Sequence, residues 1–289
     1  MGKFTYKIGV LCLLLLLVFS SVSLVGCRKE KEEEVLSYAL LPVDVGVEGP
    51  ELMSLIDPSS EVRGVFIASV YNIDYPTKTD LSASALKKEI DSILDTMTEA
   101  GLNTVYFQVR PACDALYKSD LFPVSRALST QGKLVMDPLA YLVEQAHRRN
   151  IFVHAWVNPL RVSTGSESKP NVKVENLPDG SPAKEHPDWT VAYADGRLYF
   201  DPGIPEVREL IADGVKEIVS RYDVDGIIFD DYFYPYPVTL ADGTVALFND
   251  DASYARYGGD SARADWRREN VNQMVKASYD AVKSVSEDV

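Results

Sequence analysis

Short apolar runs alternate along this chain with apolar stripes at helical spacing. Val65-Phe66-Ile67-Ala68-Ser69-Val70 has the composition of a buried strand, and Leu86, Ile90, Ile93, Leu94 and Met97 then recur at the period of a helix face. Gly101 follows as a helix stop. The unit repeats. Thr104-Val105-Tyr106-Phe107-Gln108-Val109 is a second strand, and Asp137-Pro138 opens a helix as N-cap and first helical residue, with Leu139, Leu142, Val143 and Ala146 on one face. Ile151 to Val157 is a third strand. Asp201-Pro202-Gly203-Ile204-Pro205 starts a third helix with Asp201 as its cap, and Val207, Leu210, Ile211, Val215, Ile218, Val219 and Tyr222 form its stripe. Gly226 to Phe229 is a fourth strand, and Val271, Met274, Val275, Ser278 and Val282 mark a fourth helix.

Four successive strand–helix units with nearly continuous apolar strands indicate an α/β fold built on a parallel sheet. Polar residues gather after each strand, at Tyr71 to Asp74, Gln108 to Asp114, His154 to Arg161 and Asp230 to Tyr232. In (β/α)8 barrels the chemistry sits at the carboxyl ends of the strands. This distribution is therefore the mark of an enzyme. A typical barrel completes eight units in about 250 residues, whereas four units occupy residues 62–289 here. The expected architecture is a TIM-type (β/α)8 barrel of which only the first four βα units are present, in a truncated chain.

The 61 residues before the first strand have another character. Lys3 and Lys7 precede an apolar run from Ile8 to Phe19. That run is too short to span a bilayer comfortably and has the layout of a secretory signal. Leu24-Val25-Gly26-Cys27 resembles the lipobox of bacterial lipoproteins, which implies acylation of Cys27. Residues 1–26 are then a lipoprotein signal peptide and 27–61 a tether and lead-in, carrying the charged stretch Arg28 to Glu34 and then Pro42, Gly46, Gly49, Pro50 and Pro58. Residues 62–289 are the barrel half. The expected location is the cell envelope, with the protein held on a membrane by its lipid and facing the extracytoplasmic side. Of the three cysteines, Cys12 lies in the signal and Cys27 at its end, so Cys113 stands alone in the folded part and forms no intrachain disulfide there. The formal charge is −14, and removal of Lys3 and Lys7 makes the remainder more negative. That excludes nucleic acid, which needs a cationic face.

The chemistry centres on "DGIIFDDYFYP", residues 225–235. Asp230 and Asp231 stand where an apolar strand runs out, an expensive place for charge. Neighbouring residues on a strand point to opposite faces, so one acid faces the barrel mouth and the other the helix layer. The inward acid suits a general acid or nucleophile in glycoside hydrolysis, which needs two carboxylates about 5–5.5 Å apart for retention or 6.5–9.5 Å for inversion. Alternation leaves open which acid that is; the reading favours Asp231, on the face of Phe229, over Asp230, on the face of Ile228. The structural alternative makes both acids a turn with an arginine partner. Gln108 and Arg110 share a face by the period of two, with Asp114 just beyond. Arg110 then pairs with the inward acid, grips a sugar carboxylate, or forms a structural bridge across the mouth. His154, Trp156 and Asn158 alternate on one side of the third strand, with Trp156 as an apolar plate for a sugar ring. Tyr232, Phe233, Tyr234 and Tyr236 extend that surface or pack within their own loop. No HExxH, CxxC, glycine-rich phosphate loop or G-x-S-x-G elbow is present, so neither a metal nor a cofactor is expected.

Taken together, "RGVFIASVYNIDYP", "LNTVYFQVRP", "VHAWVNPLRV", "FDPGIPEVREL" and "VDGIIFDDYFYP" resemble the glycosyl-hydrolase-like 10 domain of bacterial envelope lipoproteins, from about Arg63 onward. The resemblance implies a (β/α)8 barrel and a glycosidase associated with peptidoglycan glycan strands stripped of their peptides. It carries over the strand-end positions Gln108, Arg110, Asp114, His154, Trp156, Asn158 and Tyr232 around the substrate, and Asp230 and Asp231 as the catalytic candidates, of which one faces the cleft and the partner carboxylate belongs to the missing half of the barrel; Tyr234 is added from the aromatic tail. The expected partners are a cell-wall polysaccharide and, through the lipid, a membrane. A non-catalytic carbohydrate-binding or scaffold lipoprotein on a degenerate barrel is the alternative.

Replacing Cys27 with Ser removes the acylation site and is expected to release the protein from membranes. Fractionation with a lipid label checks this: a variant that still pellets with membranes and still takes up label is incompatible with the lipobox assignment.

Overall fold

Strand β1 (Gly64–Ile67) leads into helix α1 (Ala83–Glu99), and β2 (Thr104–Arg110) into α2 (Pro138–His147). After β3 (Phe152–Val157) the chain makes a long excursion through α3 (Pro182–Glu185) and a small hairpin, β4 (Thr190–Ala192) with β5 (Leu198–Phe200), before α4 (Pro205–Arg221). Then come β6 (Gly226–Phe229), α5 (Asp251–Tyr257) and α6 (Arg263–Lys283). This computed structural model describes residues 61–166, 168–230 and 233–289. The expected lipid site Cys27, the signal, the tether up to residue 60, and Asp231 and Tyr232 lie outside the described residues.

The four longer strands pair in parallel in the order β1-β2-β3-β6. Each crossover contains a helix, as a parallel sheet requires. Local signals set the helix ends. The Ser82 side chain accepts the Ala85 N–H to open α1, and Gly101 takes φ +70° just past its end. Asp137 accepts the Ala140 N–H at 3.1 Å and Pro138 occupies the first turn of α2. Asp201, expected to cap α4, does not. Ile204 stands at the N-cap of α4 with no side-chain bond. The Asp201 carboxylate instead accepts the Gly203 N–H at 2.8 Å and the Ser253 hydroxyl, closing a turn ahead of the helix against α5.

One face of the sheet carries Val105, Phe107, Val153, Ala155 and Val157, which pack under Leu86, Ile90 and Leu94 of α1, Leu139 and Leu142 of α2, and Val207, Ile211 and Val215 of α4. The stripe of α6 differs slightly from the expected one: Trp266, Asn270, Met274, Ser278 and Val282 are buried, while Val275 is exposed. The other face of the sheet is aromatic and polar. Register aligns Phe66, Tyr106, His154 and Gly226 in one row, and Gln108, Trp156 and Ile228 in the next, toward the carboxyl ends. Phe66 stacks on Tyr106 at 4.5 Å, Trp156 meets Phe66 edge-on at 5.2 Å, and His154 meets Tyr106 edge-on at 5.2 Å. Phe66 remains 50 % exposed on this face.

Gly226 is the gap in the first row, and the His154 ring fills it. A side chain there collides: even a Cβ would lie within 2.6 Å of His154 Cε1. Gly226→Val should therefore lower stability by about 1–3 kcal/mol, the usual cost of overpacking, read as a fall in the melting midpoint. An unchanged melt would show that His154 swings clear.

Candidate functional site at the carboxyl ends of the strands

The site is built around Gln108, which is 1 % exposed. Its carbonyl accepts the backbone N–H of Ser69 at 2.8 Å and of Val70 at 2.9 Å. Its amide donates to Asn158 Oδ1 at 2.6 Å. Ser69 Oγ donates to the Gln108 backbone carbonyl at 2.8 Å. These bonds explain why β1 stops at Ile67 and does not run on to Val70: the N–H groups of residues 69 and 70 turn toward a side chain and the backbone leaves the sheet. Asn158 is engaged on both ends. Besides Gln108, its Oδ1 accepts from Arg161 Nη2 at 2.9 Å, and its Nδ2 donates to the Asp230 carbonyl at 3.0 Å. Gln108 and Asn158 thus form a buried amide layer that orders the strand ends.

Asp230 follows β6 without a break in pairing. Its N–H donates to the Val157 carbonyl at 3.3 Å, and its own carbonyl takes the Asn158 bond. Alternation then sets Asp230 on the face of Ile228 and Trp156, the one not covered by α1, α2 and α4. The expectation that Asp231 faces the mouth sets it on the face of Phe229; Phe229 packs with Ile227 against the helix-covered core, and Asp231 itself lies outside the described residues. Among the described residues no basic side chain pairs with the Asp230 carboxylate, so the arginine-held turn finds no support at this residue.

Arg110 does not share a face with Gln108. The register shifts between them: Gln108 aligns with Trp156, and Arg110 with Val157. The extra residue flips the alternation, and Arg110 enters the helix layer. There it is fully buried, its guanidinium 3.8 Å over the Phe122 ring and against Gly214 of α4. Neither pairing with the inward acid nor a grip on a sugar carboxylate is open to it in this position. Burial pulls its pKa down, against Tyr117, Cys113, Glu217 and Asp114, which favour the charge. The buried cation at the mouth is Arg161, whose Nε donates to the Pro111 carbonyl at 2.6 Å. The sequence signal for it was its place three residues after Asn158 in "NPLR".

The remaining residues divide. Trp156 is only 9 % exposed, so it is less an open plate than part of the aromatic row, and its Nε1 has no hydrogen-bond partner among the described residues. Tyr234 packs into a small cluster with Val191, Tyr193, Tyr199 and Phe248, and its hydroxyl accepts from Asn270 at 3.4 Å. Burial pushes its phenol upward. Asp114 lines a cavity of about 210 Å³ between the loops that follow β1, β2 and β3. Burial raises its carboxyl pKa, against hydrogen bonds from Ser125 and Arg126 and the charges of Arg110 and Arg161. Ser69, Tyr71, Ala112, Arg126 and Thr164 line the same cavity. Among the described residues no cluster of His, Cys, Asp and Glu could hold a metal ion.

Comparison with known proteins bears on the family and the fold. A family model described as glycosyl hydrolase-like 10 matches residues 61–289. Glycosyl hydrolase YngK of Bacillus subtilis (strain 168) is 42 % identical over 228 residues, covering 78 % of this chain and 42 % of that protein. Glycosyl hydrolase DigH of Escherichia coli (strain K12) is 36 % identical over 246 residues, covering 80 % and 54 %. The chain thus spans about half the length of the curated relatives it matches. Among solved structures, alpha-L-fucosidase isoenzyme 2 from Paenibacillus thiaminolyticus superposes with a TM-score of 0.51 at 16 % identity, covering 78 % of this chain and 31 % of that one. That likeness concerns the fold, a parallel sheet flanked by helices of the TIM-barrel kind.

His154 gives the site a measurable pH response. Burial lowers its pKa below the ordinary 6.5, with Asp225 opposing. The folded state therefore favours neutral imidazole, and the unfolded chain binds more protons between the two pKa values. The contribution of His154 is full above pH 6.5 and is lost as pH falls toward the folded value. Thermal melts from pH 7 down to 5 should show a shallower loss in His154→Gln than in the wild type. Parallel slopes would exclude His154 as the source.

Proposed function

The chain belongs to the glycosyl hydrolase-like 10 family, and from that premise we propose that it cleaves glycosidic bonds at the carboxyl end of its parallel sheet, with Asp230 as an essential carboxylate. The observation that carries this reading is the continued pairing of Asp230 with Val157 and Asn158, which directs it to the face shared with Trp156. A carboxylate there, with no basic partner among the described residues, is available to a substrate as general acid, base or nucleophile. We assign the orienting role to Asp231. The Gln108–Asn158–Arg161 layer holds the strand end in place, as a reacting carboxylate requires. The four βα units form part of the wall of a (β/α)8 barrel.

The substrate is a cell-wall glycan, the peptidoglycan strand freed of its peptides, and Cys27 tethers the enzyme to a membrane on the extracytoplasmic side. Two features support this: the lipobox-like Leu24 to Cys27, and the aromatic row of Phe66, Tyr106 and Trp156 on the face of the sheet that the helices leave open.

Release of soluble products from denuded glycan strands, measured together with thermal melting, tests the assignment. Asp230→Asn should lose about 10²–10⁴-fold in rate, the range for an acid–base group, with its melt unchanged. Asp231→Asn should lower the melt first. Wild-type turnover in both variants would remove the catalytic reading and leave a carbohydrate-binding scaffold.

A further inference from the structure

The loop after β1 is held in a conformation that one of its residues, Tyr71, resists. Tyr71 and Asn72 both take φ +55°, in the left-handed region, which asparagine tolerates and tyrosine resists. Side chains hold them there. Gln108 takes the N–H groups of Ser69 and Val70 just before the pair. Asn72 Nδ2 then donates to the carbonyls of Pro76 at 2.8 Å and Ala127 at 3.0 Å, pinning the loop to its neighbour after β2. The strain does not serve burial, because Tyr71 is 59 % exposed. It stands on the wall of the cavity between the first three βα loops. Its hydroxyl donates to the Gly165 carbonyl at 3.0 Å and pairs with Arg197, which fixes the ring at the rim. Strained residues persist where the surroundings over-determine them, and they gather at binding sites.

We infer that Tyr71 is a saccharide-stacking residue, and that the cavity beneath it is a subsite for one sugar ring of the glycan. Tyrosine offers a rigid, amphipathic face at a low entropic cost. The cavity below mixes apolar Ala112, Val162 and Leu177 with hydrogen-bonding Thr164, Asn171 and Arg126, which suits a ring with C–H faces and hydroxyl edges. The subsite adjoins the reacting end through shared structure: Gln108 sets the Tyr71 loop and, through Asn158, the Asp230 backbone. The inference rests on the proposed function for the identity of the glycan, and its test reads binding without cleavage.

The probe is the β-1,4-linked tetramer of N-acetylglucosamine, titrated by calorimetry into the whole chain carrying Asp230→Asn. Tyr71→Gly relieves the backbone strain, since glycine accepts positive φ freely, and removes the ring. It should weaken binding about tenfold or more, roughly the effect of one lost aromatic contact, while its melting midpoint stays level or rises. Tyr71→Phe keeps the ring and should bind within a factor of about three, a loss well under one exposed hydrogen bond's upper range. Unchanged affinity in Tyr71→Gly overturns the inference, as does an equal loss in Tyr71→Phe accompanied by a lower melt, which would make Tyr71 a strut. Failure of the parent to bind the tetramer at millimolar concentration also overturns it. The proposed activity stands or falls separately, on the cleavage assay of Asp230→Asn.

Discussion

The side-chain amide of Gln108 is the group on which the carboxyl end of the sheet depends. A buried primary amide needs partners for both its oxygen and its nitrogen. Here the oxygen takes two backbone N–H groups, those of Ser69 and Val70, and the nitrogen reaches Asn158 on the next strand. One residue therefore ends β1, shapes the first βα loop and anchors the end of β3. Asn158 passes the constraint to Asp230 and receives Arg161. Removing Gln108 would strand several buried donors and acceptors together, each at about 1–3 kcal/mol. The layer is therefore cooperative: its members hold one another, and the carboxyl end of the sheet is as rigid as the least satisfied of them.

The irregularity in β2 makes this layer possible. With regular alternation, Gln108 and Arg110 would both face the mouth, and two cations, Arg110 and Arg161, would crowd one strand end. The register shift sends Arg110 to the opposite face, where it lies over Phe122 beneath Gly214. A buried guanidinium is costly even so. The π face of Phe122 and the nearby Glu217 and Asp114 offset part of that cost. Gly214 is the complementary concession in α4: any side chain there would occupy the space of the guanidinium. The bulge, the arginine and the helical glycine are one device.

Much of the frame was legible in the sequence because its signals are local. The apolar stripes of α1 and α4, the Asp137-Pro138 start of α2 and the run Gly226 to Phe229 each follow from periodicity or capping. The parallel order of the sheet follows from strand–helix alternation. What could not be read depended on register. A one-residue shift between Gln108 and Arg110 leaves no mark in composition, yet it reverses the direction of Arg110. The facing of Asp230 depends on Ile228 standing opposite Trp156, a pairing between residues 72 positions apart. The hairpin of β4 and β5 escaped notice because three-residue strands are too short to display a period. Tyr234 looked like part of an open aromatic surface because its partners, Tyr193, Tyr199 and Phe248, come from distant stretches of chain.

The mouth of the sheet combines two conditions that are seldom cheap to hold together. Below lies the buried amide layer, in which Gln108 and Asn158 cannot move without losing a partner. Above it the first βα loop carries Tyr71 in an unfavourable backbone conformation, held by that same layer and by the bonds of its neighbour Asn72 to Pro76 and Ala127. The ordering of the rim is thus completed during folding, when the strain is set against the burial of Gln108. A ligand meeting this surface has little loop entropy left to overcome, and such preorganisation improves affinity by lowering the cost of binding rather than by adding contacts. The same rigidity limits the surface to ligands that match it. A stiff polymer of repeating rings presents the same shape at every step, so a fixed rim can meet it without adapting.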